Sequence, residues 1–242
     1  MSSDQILADV LAGRIPALAR AMSVVENARP GYELLLAGIH RHLGHARRLG
    51  ITGPPGAGKS TLTERLVTGF RSRDLRVGVV AVDPTSPFTG GALLGDRIRM
   101  ESVALDRNVF IRSMATRGSL GGLATTTREV CDILDAAQFD RILIETVGVG
   151  QSELDVATMA DTTVLVLVPE SGDAIQTLKS GIMEAADIYV INKADRPGAE
   201  KLRHEIQIAI GIKRGNAYSN IPAHHGALRS GRSAEPADDD GY

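Results

Sequence analysis

The sequence predicts an α/β fold, with a mostly parallel central sheet flanked by helices and a helical extension in front of it. Two observations carry this. Short apolar runs rich in Val, Ile and Leu recur along the chain, each followed by a stretch with helical periodicity. One of these strand-to-helix joins is a glycine-rich loop ending in Lys-Ser, a junction that places backbone N–H groups at a sheet edge. At 242 residues the chain holds one sizeable α/β domain plus flanking pieces. The expected division is a helical extension over 1–45, a nucleotide domain over 46–210 and a disordered tail over 211–242.

The elements follow in order. Ile6, Leu7, Val10, Leu11, Ile15, Leu18 and Met22 recur at helical spacing within residues 5–28, and Gly13 with Pro16 predicts a break between two helices. Tyr32 to Ile39 is a further helical run. His40, His42 and His45 cluster before the first strand. Imidazoles suit zinc or nickel, but no cysteine or carboxylate completes a ligand set there, so a solvated linker is the better reading.

Leu49-Gly50-Ile51-Thr52 is a short buried strand. The loop comes next, and Leu62 to Phe70 is amphipathic in helical register. Val77 to Asp83 is a continuous apolar run, as in a strand buried on both faces, stopped by Pro84 and Pro87. The Gly90–Met100 segment carries glycines and charges that suit a loop closing over a nucleotide. Val109 to Met114 is a strand. Gly118 to Gly122 leads into a helix from Ala124 to Ala137, in which Cys131 is packed rather than reactive. Arg141 to Gly148, Thr162 to Val168 and Ile188 to Ile191 are three more strands. The segment from Gly172 to Gly181 is a polar loop turning into a helix. From Gly211 to Tyr242 only Ile212, Ile221 and Leu228 are large aliphatics, too few to offset the ordering entropy of the segment.

Composition excludes several classes. A net charge of −2 is not that of a surface coating nucleic acid, and 3% aromatic residues without Trp offer little for stacking bases. One cysteine excludes a disulfide framework and a multi-thiolate metal site within the chain, and suits a reducing cytoplasm. Neither a basic, apolar leader nor an 18-residue apolar stretch is visible, so no membrane span is expected.

The chemistry lies in three motifs. Gly53-Pro54-Pro55-Gly56-Ala57-Gly58-Lys59-Ser60, followed by Thr61, fits G-x-x-x-x-G-K-[ST]. Its glycines let successive N–H groups face phosphate oxygens, Lys59 reaches the β- and γ-phosphates, and the Ser60 hydroxyl ligates Mg²⁺. Glu145 ends a strand, where phosphate-loop nucleotidases place an acid that holds Mg²⁺ through water. Gly148 follows and supplies an N–H for the γ-phosphate. Asp83, at another strand end, suits a water or Mg²⁺ ligand, and taken alone equally suits a turn cap. Asn192-Lys193-Ala194-Asp195 fits N-K-x-D. The Asp195 carboxylate can accept from guanine N1–H and the 2-amino group, while adenine offers neither donor. Asn192 braces the loops and the Lys193 stem lies over the base. Together these motifs predict a GTPase that uses GTP/GDP and Mg²⁺.

At this point the sequence resembles the MeaB/ArgK family of P-loop GTPases, from about Gly13 to about Gly211. The resemblance rests on residues 50–61, on Asp-Pro-Thr-Ser-Pro (83–87), on Thr-Gly-Gly-Ala-Leu-Leu-Gly-Asp-Arg-Ile-Arg-Met (89–100), on Glu-Thr-Val-Gly-Val-Gly-Gln-Ser-Glu (145–153) and on Asn-Lys-Ala-Asp (192–195). It implies a chaperone that gates adenosylcobalamin loading of a cobalamin-dependent acyl-CoA mutase, such as methylmalonyl-CoA mutase, and protects that enzyme. It also implies that Asp83, Asp96 and Glu145 surround the metal and the attacking water. Gln176 and Lys179 would belong to a switch that senses the partner and assists hydrolysis. Family members are homodimeric and continue past N-K-x-D with a further strand, a base-side loop and a helical arm. A polar tail takes that place here, so the chain reads as a C-terminally truncated or frame-altered member, and the homodimer does not carry over directly. Three other readings stay open: an ATP-using kinase linked to arginine or ornithine transport, a nickel-insertion GTPase, and a non-hydrolysing fragment that only binds a partner.

Overall fold

The computed structural model describes residues 2–83, 100–115, 122–146, 148, 152–169 and 181–213. Within these residues the chain order is α1 (Ser3–Leu11), α2 (Ile15–Glu26), α3 (Tyr32–Ile39), a 3₁₀ turn (His40–His42), β1 (Arg47–Thr52), α4 (Lys59–Arg71), β2 (Val77–Asp83), α5 (Glu101–Ala104), β3 (Val109–Ala115), α6 (Gly122–Ala136), β4 (Arg141–Thr146), α7 (Ser152–Met159), β5 (Thr162–Leu167), α8 (Ile182–Ala185), β6 (Ile188–Ile191) and α9 (Ala199–Lys213). α9 runs to Lys213, past the expected change of character at 211. The expected disordered tail otherwise lies outside the described residues.

The six strands form one sheet in the order β3-β2-β4-β1-β5-β6, and every pairing is parallel. Parallel neighbours need crossovers, which the alternating helices supply. Apolar runs without polar interruption make sense in this setting, because both faces are covered. On β2, Val77 and Val79 point into one core and Val80 and Val82 into another; on β4, Leu143 divides from Ile142 and Ile144 in the same way. The pleat sends alternate side chains to opposite faces. One face is covered by α4, through Leu62, Leu66, Val67 and Phe70. The other is covered by α6, through Val130, Cys131, Ile133 and Leu134, with Leu18, Met22 and Val25 of α2 in the same core. Each fully buried side chain of this size contributes about 1.5–3 kcal/mol of transfer free energy. Leu165 and Leu167 of β5 join Ile182, Leu202 and Ile206 in a smaller third cluster under α8 and α9.

The predicted break between the first two helices is present. α1 ends at Leu11, Gly13 adopts a φ of +69°, and Pro16 sits in the first turn of α2, where its missing N–H costs nothing. A buried carboxylate fastens this helical extension to the sheet layers. Asp135, 3% exposed on α6, accepts from the backbone N–H groups of Gly44, His45 and Ala46 at 2.8–2.9 Å. The predicted linker around His40, His42 and His45 is exposed. His45 Nε2 lies 3.1 Å from Asp140 Oδ1, and among the described residues no group of three or more His, Cys, Asp or Glu could hold a metal ion. Cys131 is fully buried, and burial pushes its thiol up from 9.0 to about 12, as expected of a packed rather than reactive cysteine. No described helix is long and apolar enough to cross a membrane.

Candidate functional site

All six strands run the same way, so their C-terminal ends meet at one edge. The join from β1 to α4 sits at the middle of that edge, between β4 and β5. Open parallel sheets bind ligands at this kind of position, where neighbouring crossovers depart to opposite faces.

The loop over 53–58 is held in shape by close backbone contacts. Gly53 has a φ of +137°, and a Cβ there would lie 2.1 Å from the carbonyl oxygen of Val166 on β5. Only glycine fits. Gly58 caps α4 with a φ of +91° and no side-chain hydrogen bond, and no acidic residue stands in the helix's first turn. The N–H groups at that helix start therefore carry their partial positive charge toward the loop. Lys59 is 6% exposed, and its Nζ donates to the carbonyls of Gly53 at 2.8 Å and Pro54 at 3.0 Å. Thr61 is exposed on the outer side of the same turn.

Glu145 is the last residue but one of β4 and is 5% exposed. Its Oε1 accepts from Ser60 Oγ at 2.6 Å and its Oε2 from Thr63 Oγ1 at 2.8 Å. Thr63, one turn after Ser60 on α4, is fully buried and also lies 3.0 Å from the Lys59 carbonyl. Reading the sequence did not find Thr63. The signal was available: position 63 falls on the face of α4 that packs toward β4. Thr146, next to Glu145, donates to Thr52 at 3.1 Å across the sheet.

Gly148 approaches the loop directly. It has a φ of +96°, and a Cβ would lie 2.5 Å from the Gly53 oxygen and 2.7 Å from the Pro55 nitrogen. Asn192, after β6, donates through Nδ2 to the Ala57 carbonyl at 2.7 Å, which is the bracing expected of it. Lys193 adopts a φ of +53°, donates its backbone N–H to Asn192 Oδ1, and sends Nζ to the Gly56 carbonyl at 2.8 Å. Asp195 is exposed beside this turn.

Glu153, the last residue of the switch expected after Gly148, stands in the first turn of α7. Its Oε1 is buried and has no hydrogen-bond partner. Burial raises its carboxyl above the usual range, and the positive charge of Lys59 acts in the opposite direction.

The remaining expected residues divide into two groups. Asp83 is the last residue of β2, opposite Ala115 of β3, at the same sheet edge as Glu145; its side chain lies outside the described atoms. Asp96, Gln176 and Lys179 lie outside the described residues, as do the expected closing loop over 90–99 and most of the polar loop over 172–180. The structure thus brings together Gly53, Pro54, Gly56, Ala57, Lys59, Ser60, Glu145, Gly148, Asn192 and Lys193, from the ends of three strands, β1, β4 and β6.

Comparison with known proteins agrees with this geometry. A family model described as methylmalonyl Co-A mutase-associated GTPase MeaB matches residues 18–227. A Pyrococcus horikoshii protein that carries the name of a GTPase is 52% identical over 211 residues, covering 87% of this chain and 67% of its own. The GTPase ArgK of Escherichia coli K12 is 42% identical over 209 residues, covering 84% of this chain and 63% of its own. The crystal structure of an LAO/AO transport system kinase superposes with a TM-score of 0.66 at 30% identity, over 92% of this chain and 65% of that one. The chain spans about two thirds of the length of these relatives. With a family match over most of its length and a site assembled from that family's motifs, the chain belongs to the MeaB family of P-loop GTPases.

Proposed function

We propose that the chain binds Mg-GTP at the C-terminal edge of its sheet, hydrolyses it to GDP and phosphate, and serves a cobalamin-dependent acyl-CoA mutase as a cytoplasmic chaperone. One observation carries the nucleotide reading: Glu145, Gly148 and Asn192, from two different crossovers, all contact the 53–60 loop or the helix it opens.

The donor set fits magnesium. Ser60 Oγ and the Glu145 carboxylate are hard oxygen ligands, 2.6 Å apart in a largely buried place. Ser60 would ligate the ion, and Glu145, with Asp83 and Asp96, would hold it through water. The bound ion supplies charge neutralisation on the β- and γ-phosphate oxygens.

The chain's own residues do the rest. Lys59 leaves the Gly53 and Pro54 carbonyls for the phosphates, a short swing for a side chain already inside the loop. The loop N–H groups and the first turn of α4 take the remaining phosphate oxygens, with Pro54, Pro55, Gly56, Ala57, Gly58 and Thr61 lining the cradle. Gly148 offers its N–H to the γ-phosphate. Asn192 holds the loop, the Lys193 stem covers the base, and Asp195 accepts from guanine. Catalysis is then positioning plus stabilisation of charge that develops as water attacks the γ-phosphorus. Lys179 and Gln176 would join as the partner binds. The mutase role draws on the family's description.

Two measurements test this. Lys59→Ala should lower GTP-dependent phosphate release about 100-fold or more, the scale of losing one charge-stabilising group; unchanged release sinks the active-site assignment. Adenosylcobalamin loading of a methylmalonyl-CoA mutase should respond to this chain plus GTP; no response sinks the chaperone role alone. A second reading, an ATP-using transport kinase, is favoured by the name of the solved relative. Competition of ATP against labelled GTP decides between them.

A further inference from the structure

β1 and β4 pair in register as far as Ile51 opposite Glu145. One residue on, β1 leads into the phosphate loop at Gly53 and β4 leads toward Gly148. At that point side chains take over from the backbone ladder. The Thr146 hydroxyl donates to Thr52 Oγ1 at 3.1 Å, and both residues are buried. Alternate residues of a strand face opposite sides of the sheet. Glu145 faces α4, where Ser60 and Thr63 donate to it. Ile144, two residues before Thr146, points into the core on the other face, and Val156 of α7 packs there over Gly50, two residues before Thr52. The Thr146–Thr52 bond therefore lies on the face away from α4. The two strand ends are tied from both faces, next to the place where Gly148 packs against Gly53 and Pro55. The surroundings are apolar: Val82 of β2 lies opposite Thr146 on its other side. A hydroxyl pair gains little stability over two methyl groups in such a place. What it adds is direction, because a hydrogen bond favours one distance and one angle while apolar contact favours neither.

We propose that Thr52 and Thr146 are positioning residues that act through Gly148: their bond sets the gap between the phosphate loop and the Gly148 N–H, and with it the preference for GTP over GDP. The inference deepens the GTP-site reading above and rests on it. In that reading the loop holds the phosphates that GTP and GDP share, and only a γ-phosphate meets the Gly148 N–H. A hydrogen bond keeps its strength over a narrow range of distance and angle. Gly148 stands two residues past Thr146, and Gly53 stands next to Thr52. With levers this short, a tie between the hydroxyls leaves the N–H little play relative to the loop. Glu145 ties the same strand end to α4, on the face where the metal would bind. The hydroxyl pair fixes the opposite face, so the strand end cannot tilt away from the loop about Glu145. Replacing either threonine by valine keeps the volume and removes the directional tie. The loop then still takes GDP, while the contact peculiar to GTP loses its alignment.

The test titrates GDP and a non-hydrolysable GTP analogue calorimetrically in Mg²⁺, on the full chain and its T146V, T52V, T146S and T52V/T146V variants. T146V should bind the GTP analogue about 10-fold more weakly and GDP within about 2-fold of the unaltered chain, the scale of losing one hydrogen bond to a charged group. T146S keeps the hydroxyl and should bind both nucleotides as the unaltered chain does. The double variant should lose no more than T146V, because both hydroxyls serve one bond. Equal losses for the two nucleotides mark a merely structural role and overturn the proposal, as does an unchanged ratio between them. Losses that add in the double variant show two hydroxyls acting separately, and overturn it as well. If T146V lacks a cooperative melt, T52V, which removes the acceptor on the other strand, carries the same expectation. An unaltered chain that binds neither nucleotide overturns the GTP-site reading and this inference together. Binding of both, with a ratio that T146V leaves unmoved, overturns this inference alone.

Discussion

Glu145 shows how much one side chain draws together. It is a carboxylate at 5% exposure, and it survives there because hydroxyls of Ser60 and Thr63 both donate to it. Charge-assisted hydrogen bonds of this kind are roughly twice as strong as neutral ones. In the proposed scheme Ser60 would also ligate the metal, whereas Thr63 serves the carboxylate's position. Thr63→Val keeps the shape and takes one donor from a buried charge. The expected cost is about 1–3 kcal/mol of stability, with a larger fall in Mg²⁺-dependent than in Mg²⁺-free GDP affinity. Denaturant unfolding and titration with and without Mg²⁺ check it; equal affinities in the two conditions would mean that Thr63 does not position the acid. The sequence made Glu145 and Ser60 visible through motif spacing. Thr63 stayed hidden, because a threonine within a helix has many ordinary uses.

At the scale of elements, the helical extension is joined to the sheet layers by an ion pair of Glu26 on α2 with Arg112 on β3 and by two further devices. One is apolar packing, with α2 and α6 sharing a core around Leu18, Met22, Ile133 and Leu134. The other is Asp135, which accepts three consecutive backbone N–H groups from residues 44–46. The same connector leads straight into β1, so this carboxylate sets the entry of the strand that delivers the phosphate loop. Asp135→Ala leaves three N–H groups without that acceptor. The expected loss is about 3–5 kcal/mol, larger than a surface ion pair, because the carboxylate is buried and multiply bonded. Denaturant unfolding measures it, and a loss under about 1 kcal/mol would show that the connector finds other partners. Helix periodicity predicted α1, α2 and α3 well, since their spacing is local. It could not predict Asp135 as the clasp, because the groups it binds lie 89 to 91 residues away.

At the scale of the whole molecule, the six parallel strands carry the site to one edge, and α9 with β6 ends the described part on the side of Asn192 and Asp195. β6 is one of the sheet's two edge strands, with only four residues. Ile188 on it is 47% exposed and Ile208 on α9 is 43% exposed. Binding to the native state should support this side by mass action. With saturating GDP at about 100 times its Kd the folded state gains about 2.7 kcal/mol, which for a domain of this size raises the melting midpoint by several degrees. ADP should leave the midpoint unmoved if Asp195 reads guanine. A thermal melt with Mg²⁺ alone, with GDP and with ADP checks both points. Equal shifts from the two nucleotides would remove the guanine assignment, and no shift would remove the nucleotide site.

The sequence by itself determined the strand–helix alternation, the six apolar runs and the three nucleotide motifs. All of these are local: periodicity over a few residues, or fixed spacing along one strand-to-helix join. It also determined the family, through motifs strung in one order from Gly50 to Asp195. Only the tertiary structure decided that β1 lies between β4 and β5, because strand order depends on how crossovers pack and not on any single run. Only it decided that Gly148 presses on Gly53 and Pro55, that Asn192 holds Ala57, and that Thr63 bonds Glu145 beside the phosphate loop. These contacts join residues far apart in the chain. They form because the parallel sheet gathers every C-terminal strand end at one edge, and that gathering is a property of the fold rather than of any segment within it.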